Sequence, residues 1–227
     1  MHEPSIASIR INGGRLCLDF VNTAAWQGAE VVREFLVRPE DLTVWAGREM
    51  LIGDGDRIFV SEADLGAARQ LRSAIRSLMN PQARGEAEKA AALGILDERL
   101  AIGIAGGRPS LAGDRLLWQA RPVEQGRPVE QGRGGSGPEH TISAAEARLL
   151  APVAVSAVEL AGSQGDLARV KVCPGDGCNW LFLDTSRGGT RRWCSMESCG
   201  NRAKARGHYD RAKHAVRRED GRRKPVR

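Results

Sequence analysis

The sequence predicts a mainly helical α+β protein, with a helical N-terminal body that has minor strands and a small C-terminal module made of a hairpin and a basic helix. Three observations predict this class: apolar residues recur at helical spacing behind two capping boxes, four cysteines form two close pairs near the C-terminal end, and basic residues concentrate there. With 227 residues, of which 41% are hydrophobic, the chain fits one medium domain or two small ones. We expect the body at 1–166, the module at 167–218 and a disordered basic tail at 219–227.

The first half of the body is predicted as one extended segment followed by helices. Leu16–Val21 is apolar, partly alternating and preceded by two glycines, which indicates a strand or an extended segment. A short helix is expected over 40–50. The capping box at 61–64 begins a longer helix that ends at Asn80 and Pro81, and another helix is expected over 86–105.

The second half of the body contains an insert and a strongly apolar helix. Residues 116–118 suggest a strand, and a Pro/Gly-rich insert at 119–140 contains the six-residue segment 121–126 repeated at 127–132, which indicates an exposed, flexible loop without chemistry. A second capping box at 143–146 begins a helix that ends near Gly162, with Pro152 as a possible kink. Because this helix is apolar nearly all round, we expect it at the centre of the body.

Four of the five cysteines form two C-x4-C pairs with 15 residues between them, which is typical of one tetrahedral zinc ion. The candidate ligands are Cys173, Cys178, Cys194 and Cys199. We expect a strand at 180–183, a turn at 187–190 and a return strand at 191–193, so that the module is a zinc-ribbon or treble-clef-like fold. Disulfides and a redox dithiol are the alternatives, and four thiolates would leave no open coordination position, so the zinc would be structural. Cys17 is expected to be an inert, buried thiol.

The charge of the chain is uneven. Residues 167–227 contain 16 Lys and Arg against 6 Asp and Glu, a net charge of +10, whereas residues 1–166 contain 18 against 22, a net charge of −4. A helix over 201–218 would have one thin apolar seam and basic faces, which suit the phosphate backbone of nucleic acid, although basic residues can also serve solubility alone. The candidate nucleic-acid-binding residues are Arg187, Arg191, Arg192, Arg202, Lys204, Arg206, Arg211, Lys213 and Arg217.

Two sequence segments resemble known families. The run CSMESCGNR at 194–202, with 180–186, 191–193 and 203–206, closely resembles the signature of the CGNR zinc-finger family, and LCLDFVNT at 16–23 resembles the start of the ABATE domain. The resemblance implies a bacterial stress-induced transcription regulator whose zinc-ribbon-like module binds nucleic acid. It also places the family's four zinc ligands on the same four cysteines, and it implies no catalytic residues.

The sequence therefore predicts a DNA-binding regulator with one structural zinc, and with a small-molecule effector or a homodimer as further options. An RNA- or ribosome-associated module, and a ligand-binding body with the finger as a structural clasp, remain alternatives; Asp19 and Asn22 near Trp26 are candidates for such a ligand pocket. Asn201 and Arg202 either contact nucleic acid directly or have a local structural role. In the local role, Asn201 caps the helix and Arg202 braces the hairpin through Asp184. Residues 1–166 contain no nucleophile–base set, phosphate loop or open metal site, so no enzyme is expected. No segment has the length of a membrane span or the pattern of a secretory signal, which favours the cytoplasm.

Overall fold

The structure is a computed structural model that describes residues 5–53, 55–82, 85–112, 115–120 and 143–209. Both copies of the tandem repeat and the tail at 219–227 lie outside the described residues, as do Arg211, Lys213 and Arg217.

The body is mainly helical, as the sequence predicts. Its helices are α1 (Leu16–Val21), α2 (Pro39–Arg48), α3 (Glu62–Met79), α4 (Glu86–Gly106), α5 (Ala151–Gly162) and α6 (Gln164–Leu167). Helix α3 packs on α4, and α5 packs on both α1 and α4. Among the described residues, no helix combines the length and the apolar character that a membrane crossing requires.

Both predicted capping boxes are present. The Asp64 amide donates to Ser61 Oγ at 3.1 Å while the Asp64 carboxylate accepts from the Ser61 amide at 2.8 Å, which satisfies two free donors at the start of α3. In the second box, the Glu146 amide donates to Ser143 Oγ at 3.0 Å. The helix behind it starts at 144, contains a π-helical turn over Glu146–Leu150 and continues as α5. Since Pro152 has no N–H to donate to the preceding turn, the wider turn accommodates it.

Helix α1 lies where the sequence predicts a strand or an extended segment, so that prediction is wrong. Five of its six residues are buried, so every face is covered and no helical periodicity remains in the sequence. Asp19 Oδ1 accepts the Gly13 amide at 2.6 Å and fixes the loop that enters the helix. A side chain at position 13 would meet Leu18 Cβ at 2.8 Å, so only glycine fits that close approach.

The described strands form three two-stranded antiparallel sheets. The strand β1 (Ala24–Gln27) pairs with β2 (Glu30–Glu34), and β3 (Gly107–Ala112) pairs with β4 (Arg115–Ala120), which contains the predicted strand at 116–118.

The C-terminal hairpin differs from the prediction. Strand β6 (Leu181–Leu183) pairs with β5 (Val170–Val172), which precedes the first cysteine pair, and residues 191–193 form no strand. The loop between β5 and β6 therefore carries Cys173 and Cys178.

Helix α5 has one buried and one open side. Val153, Ala154 and Ala157 are fully buried, whereas Val155 is 45% and Val158 is 44% exposed. The helix thus borders the core and is not enclosed on all sides, although its sequence is apolar nearly all round.

The short strand β6 joins the two parts of the chain. Leu181 and Leu183 belong to the core of the body together with Val170, while Phe182 packs with the cysteines. Because side chains alternate along a strand, three residues contribute to both clusters. Trp180 is partly buried against both clusters as well.

Candidate metal centre and basic surface

The four paired cysteines meet at one point. Their Sγ atoms all lie within 4.8 Å of one another; the Cys178 and Cys194 sulfurs are 3.6 Å apart, and those of Cys194 and Cys199 are 3.7 Å apart. A tetrahedral zinc with Zn–S bonds of about 2.3 Å sets its sulfurs about 3.8 Å apart, so the cluster fits this ion. All four are free thiols and all four are buried.

The loop between β5 and β6 positions the first pair. The Cys173 amide donates to the Trp180 carbonyl at 2.8 Å and closes the loop, and the Cys178 amide donates to Gly175 at 2.9 Å. A Cβ at Gly175 would lie 2.9 Å from Cys199 Sγ, so glycine allows the second pair to approach. A tight turn therefore holds the first pair.

The last helix positions the second pair. Ser195 is its N-cap, since its hydroxyl accepts the Ser198 amide at 3.3 Å, and the helix begins with a π-helical turn over Met196–Gly200 and continues through 201–209. We name the segment 201–209 α7. Asn201 lies inside this helix and its Nδ2 donates to the Glu197 carbonyl at 3.2 Å, so the interpretation of Asn201 as the cap is wrong.

The buried Asp184 holds the loop after β6, where the sequence predicts a return strand. Its carboxylate accepts from Lys171 Nζ at 2.6 Å, from the Ser186 amide at 2.9 Å and from the Arg191 amide at 3.0 Å. These hydrogen bonds, led by that of Lys171, hold the pKa of Asp184 well below its usual range. The partner of Asp184 is therefore Lys171 and not Arg202, which corrects the local role predicted for that arginine.

Repulsion between thiolates in the sulfur cluster favours binding of a cation at its centre. Hydrogen bonds from Cys178 and Cys194 lower the pKa of the Cys173 thiol, whereas hydrogen bonding to Cys173 raises the pKa of Cys178 and of Cys194. Several thiolates cannot form so close together without compensation, because like charges repel. A divalent zinc ion supplies that compensation when it binds.

Arg202 compensates part of the same charge from outside. Its Nη2 donates to Cys199 Sγ at 3.2 Å, and this hydrogen bond raises the pKa of Arg202. Arg206, one turn further, forms an exposed ion pair of 2.7 Å with Asp176 of the first cysteine loop.

Arg191 is directed inward. Its Nε donates to the Trp193 carbonyl at 3.0 Å, its Nη2 donates to the Asn12 carbonyl at 3.1 Å, and its guanidinium lies 4.7 Å from the centroid of the Phe182 ring. Further bonds reach the carbonyls of Leu183 and Cys194. The guanidinium of Arg191 therefore uses its donors within the protein, mainly on the loop after β6.

The other described candidates lie on the surface. Arg187, Arg192 and Lys204 are exposed, and the Arg192 guanidinium stacks 5.5 Å from the centroid of the Trp193 ring. Five of the nine candidates are therefore exposed in the segments that carry or flank the second cysteine pair: Arg187, Arg192, Arg202, Lys204 and Arg206.

Two side chains join the module to the body, and one of them, Asn22, lies in the segment 16–23 that resembles the start of the ABATE domain. Asn22 Nδ2 donates to the Leu181 carbonyl at 2.8 Å and Asn22 Oδ1 accepts the Leu181 amide at 3.0 Å. Trp180 Nε1 donates to the Ala24 carbonyl at 2.9 Å. Asn22 is 1% exposed and Asp19 is 8% exposed, and both side chains form hydrogen bonds within the protein, Asp19 with the Gly13 amide. Cys17 is buried as predicted, and burial raises the pKa of its thiol to about 11.

Comparison with known proteins agrees with the cysteine geometry. Residues 169–212 match the CGNR zinc finger, and residues 14–164 match the ABATE domain, described as "Putative stress-induced transcription regulator". No curated protein matches the chain. The zinc-finger match and the four clustered cysteines together support one structural zinc ion. Because the second match spans well over half of the chain, the protein belongs to the ABATE family and carries a C-terminal CGNR zinc finger.

Proposed function

We propose that the protein is a DNA-binding transcription regulator of the cytoplasm, without enzymatic activity, whose finger contacts the phosphate backbone. In this proposal residues 1–166 form the regulatory body and residues 167–218 form the finger. The observation that carries it is the set of exposed basic side chains in the same segments as the buried four-cysteine cluster. Lys and Arg that neutralise phosphates release counterions, which favours binding.

The zinc ion has a structural role in this proposal. Cys173, Cys178, Cys194 and Cys199 are its ligands, and four sulfurs leave no position for water or substrate. Bound zinc contributes folding free energy, on the order of 10–16 kcal/mol in small zinc peptides. It therefore fixes α7, and with it Lys204 and Arg206, relative to the loop that carries Arg187 and Arg192.

The described candidates do not all have the same part. Arg187 and Lys204 are exposed, so their charges face solvent and can reach a phosphate. We assign Arg191 to the support of the fold, because its guanidinium bonds four carbonyl groups of the protein.

The test is fluorescence anisotropy of the zinc-loaded full chain with labelled fragments selected from a mixed pool of DNA and RNA. We expect DNA to be selected, and we expect the double variant Arg187→Gln/Lys204→Gln to bind it about tenfold more weakly, with a salt dependence reduced by about two counterions. Arg57→Gln, an exposed arginine of the body, is the control for loss of charge. Equal binding by the double variant and this control would contradict the proposal, and selection of RNA would support the RNA-associated alternative.

A ligand-binding body is a second candidate, because a cleft of about 570 Å³ lies between α4 and α5. Its size suits a small molecule and its walls are mostly apolar, with Leu100, Ile104 and Val155 among them. We expect the neutral probe N-phenylnaphthylamine to bind here, and Val155→Trp to displace it, whereas Val158→Trp, equally exposed on the same helix but outside the cleft, retains it. Sedimentation of the two variants shows whether this side of α5 instead forms the contact between two copies of the chain.

A further inference from the structure

Two clefts meet at Arg202. The first, of about 380 Å³, lies between the first cysteine loop and α7 and is lined by Trp193, Arg202 and Arg206. The second, of about 540 Å³, lies between the finger and the N-terminal body and is lined by Arg10, Arg33 and Arg202. Because Arg202 lines both, four arginines follow one another from α7 to strand β2.

The second cleft is positive at its edges and apolar at its base. Arg10, Arg33 and Arg202 are exposed, and no acidic residue lines the cleft in the described part of the chain. Buried or partly buried apolar side chains complete it, Phe35 and Trp180 among them. Such a lining suits a partner that combines anionic groups with less polar parts, as a sugar–phosphate backbone does.

The zinc site offsets part of this charge. Four thiolates around one divalent ion leave a net charge of about −2, and Arg202 offsets part of it through its hydrogen bond to Cys199. Arg10 and Arg33 stand on the body side of the cleft and add two further positive charges. The positive groups of the cleft that lie away from the sulfurs are therefore on its body side, where a phosphate can contact them.

The contact that holds Arg10 is easily exchanged. Its Nη1 lies 2.7 Å from Glu197 Oε2, with side chains that are 51% and 82% exposed. Ion pairs as exposed as this contribute about 0–1 kcal/mol. A phosphate group can replace Glu197 as the partner of Arg10 at little cost.

We propose that the second cleft is a nucleic-acid contact surface, in which the phosphodiester backbone passes from the finger at Arg202 onto the body between Arg10 and Arg33. This inference rests on the proposed function and extends it, since it makes the body part of the interface. The continuity of the two clefts favours a polymer over a small phosphorylated ligand.

The test uses the zinc-loaded full chain and the selected DNA duplex, with anisotropy measured from 50 to 300 mM KCl. We expect Arg10→Gln and Arg33→Gln each to weaken binding about three- to tenfold and to reduce the salt dependence by about one counterion. Arg57→Gln, which lines neither cleft, is the matched control and changes affinity less than twofold.

Glu197→Gln should strengthen DNA binding, whereas the two arginine variants weaken it. It removes a negative charge beside the cleft and releases Arg10, so we expect binding about two- to fivefold tighter. Zinc content and thermal unfolding of each variant establish that it is folded.

Three results would overturn the inference. If Arg10→Gln and Arg33→Gln bind like Arg57→Gln while Arg187→Gln/Lys204→Gln binds weakly, the inference fails and the proposed function stands. If the unaltered chain binds no nucleic acid, both fail. If Arg33→Gln weakens binding of inorganic pyrophosphate but leaves DNA binding unchanged, the cleft is a site for a small anion.

Discussion

Glu49 and Asp19 are carboxyl groups of the body whose burial opposes their ionisation. Burial raises the pKa of Asp19 to about 6, although the hydrogen bond from the Gly13 amide acts in the opposite direction. Burial raises the pKa of Glu49 to about 7, and the charge of Asp19 adds to this effect. No partner binds Glu49 Oε1 within the described ranges, so its negative charge is poorly compensated.

The substitution Glu49→Gln should make the free energy of unfolding less dependent on pH. The ordinary pKa of 4.5 rises to about 7 on folding, so the folded state holds a proton that the unfolded state has lost. Stability therefore falls as pH rises from about 4.5 to 7, and between pH 6 and pH 8 this group removes about 1 kcal/mol. Urea unfolding of the variant at both pH values should show that this loss is absent.

Glu30→Gln is the control for that experiment, because Glu30 is exposed on strand β2. It should keep the pH dependence of the unaltered protein. If Glu49→Gln changes stability by the same amount at pH 6 and pH 8, the carboxyl group of Glu49 is not the source of the effect.

At the scale of the element, sequence predicts what local side chains determine. Helix starts follow from capping residues a few positions apart, so α3 and the helix that contains α5 begin where Ser61 and Ser143 indicate. The two C-x4-C pairs are local in the same sense, since a tight loop and one helical start each bring two sulfurs together. These parts of the fold and of the site were predictable.

The other elements depend on partners distant in the sequence. Strand β5 has three residues, too few for a pattern, and it takes β6 as its partner through Val170 and Leu183. In the sequence, Arg191 looks like a surface arginine. In the folded chain, its guanidinium donates to the carbonyl of Asn12, which is far away in the sequence. Arg10 and Arg33 carry no motif, and only the folded chain places them beside the finger.

The substitution Asn22→Ala should loosen strand β6 from α1. The Asn22 side chain makes both hydrogen bonds to the Leu181 backbone in a buried position. Without it, a buried N–H and a buried C=O lose their partner, which costs about 2–4 kcal/mol of unfolding free energy. Urea unfolding measures the loss, and Asn201→Ala, which removes one exposed contact, is the control and should cost less than about 0.5 kcal/mol. Equal stability of the two variants would contradict a role of Asn22 in docking.

At the scale of the molecule, the finger and the body share their interior. Val170, Leu181 and Leu183 of the finger belong to the same apolar cluster as α1, α3 and α5. Arg76 of α3 donates to the Asn179 carbonyl at 2.7 Å, and the Asn179 side chain donates to the Trp26 carbonyl at 2.8 Å. The loop that holds the first cysteine pair is thus bonded through Asn179 to α3 and to β1 of the body.

Removal of zinc should therefore destabilise the body as well as the finger. When a chelator takes the ion, repulsion among the sulfurs opens the loop between β5 and β6, and the leucines of β6 leave the core beneath α1. We expect the thermal midpoint of the whole chain to fall by at least about 10 °C, since about 1 kcal/mol corresponds to 2–4 °C at this length. Hydrogen exchange should show lost protection in α1 and α3, added zinc should restore it, and Cys194→Ser should reproduce the effect without chelator. If α3 keeps full protection while the finger exchanges freely, body and finger fold independently, and the joint through β6 does not couple them.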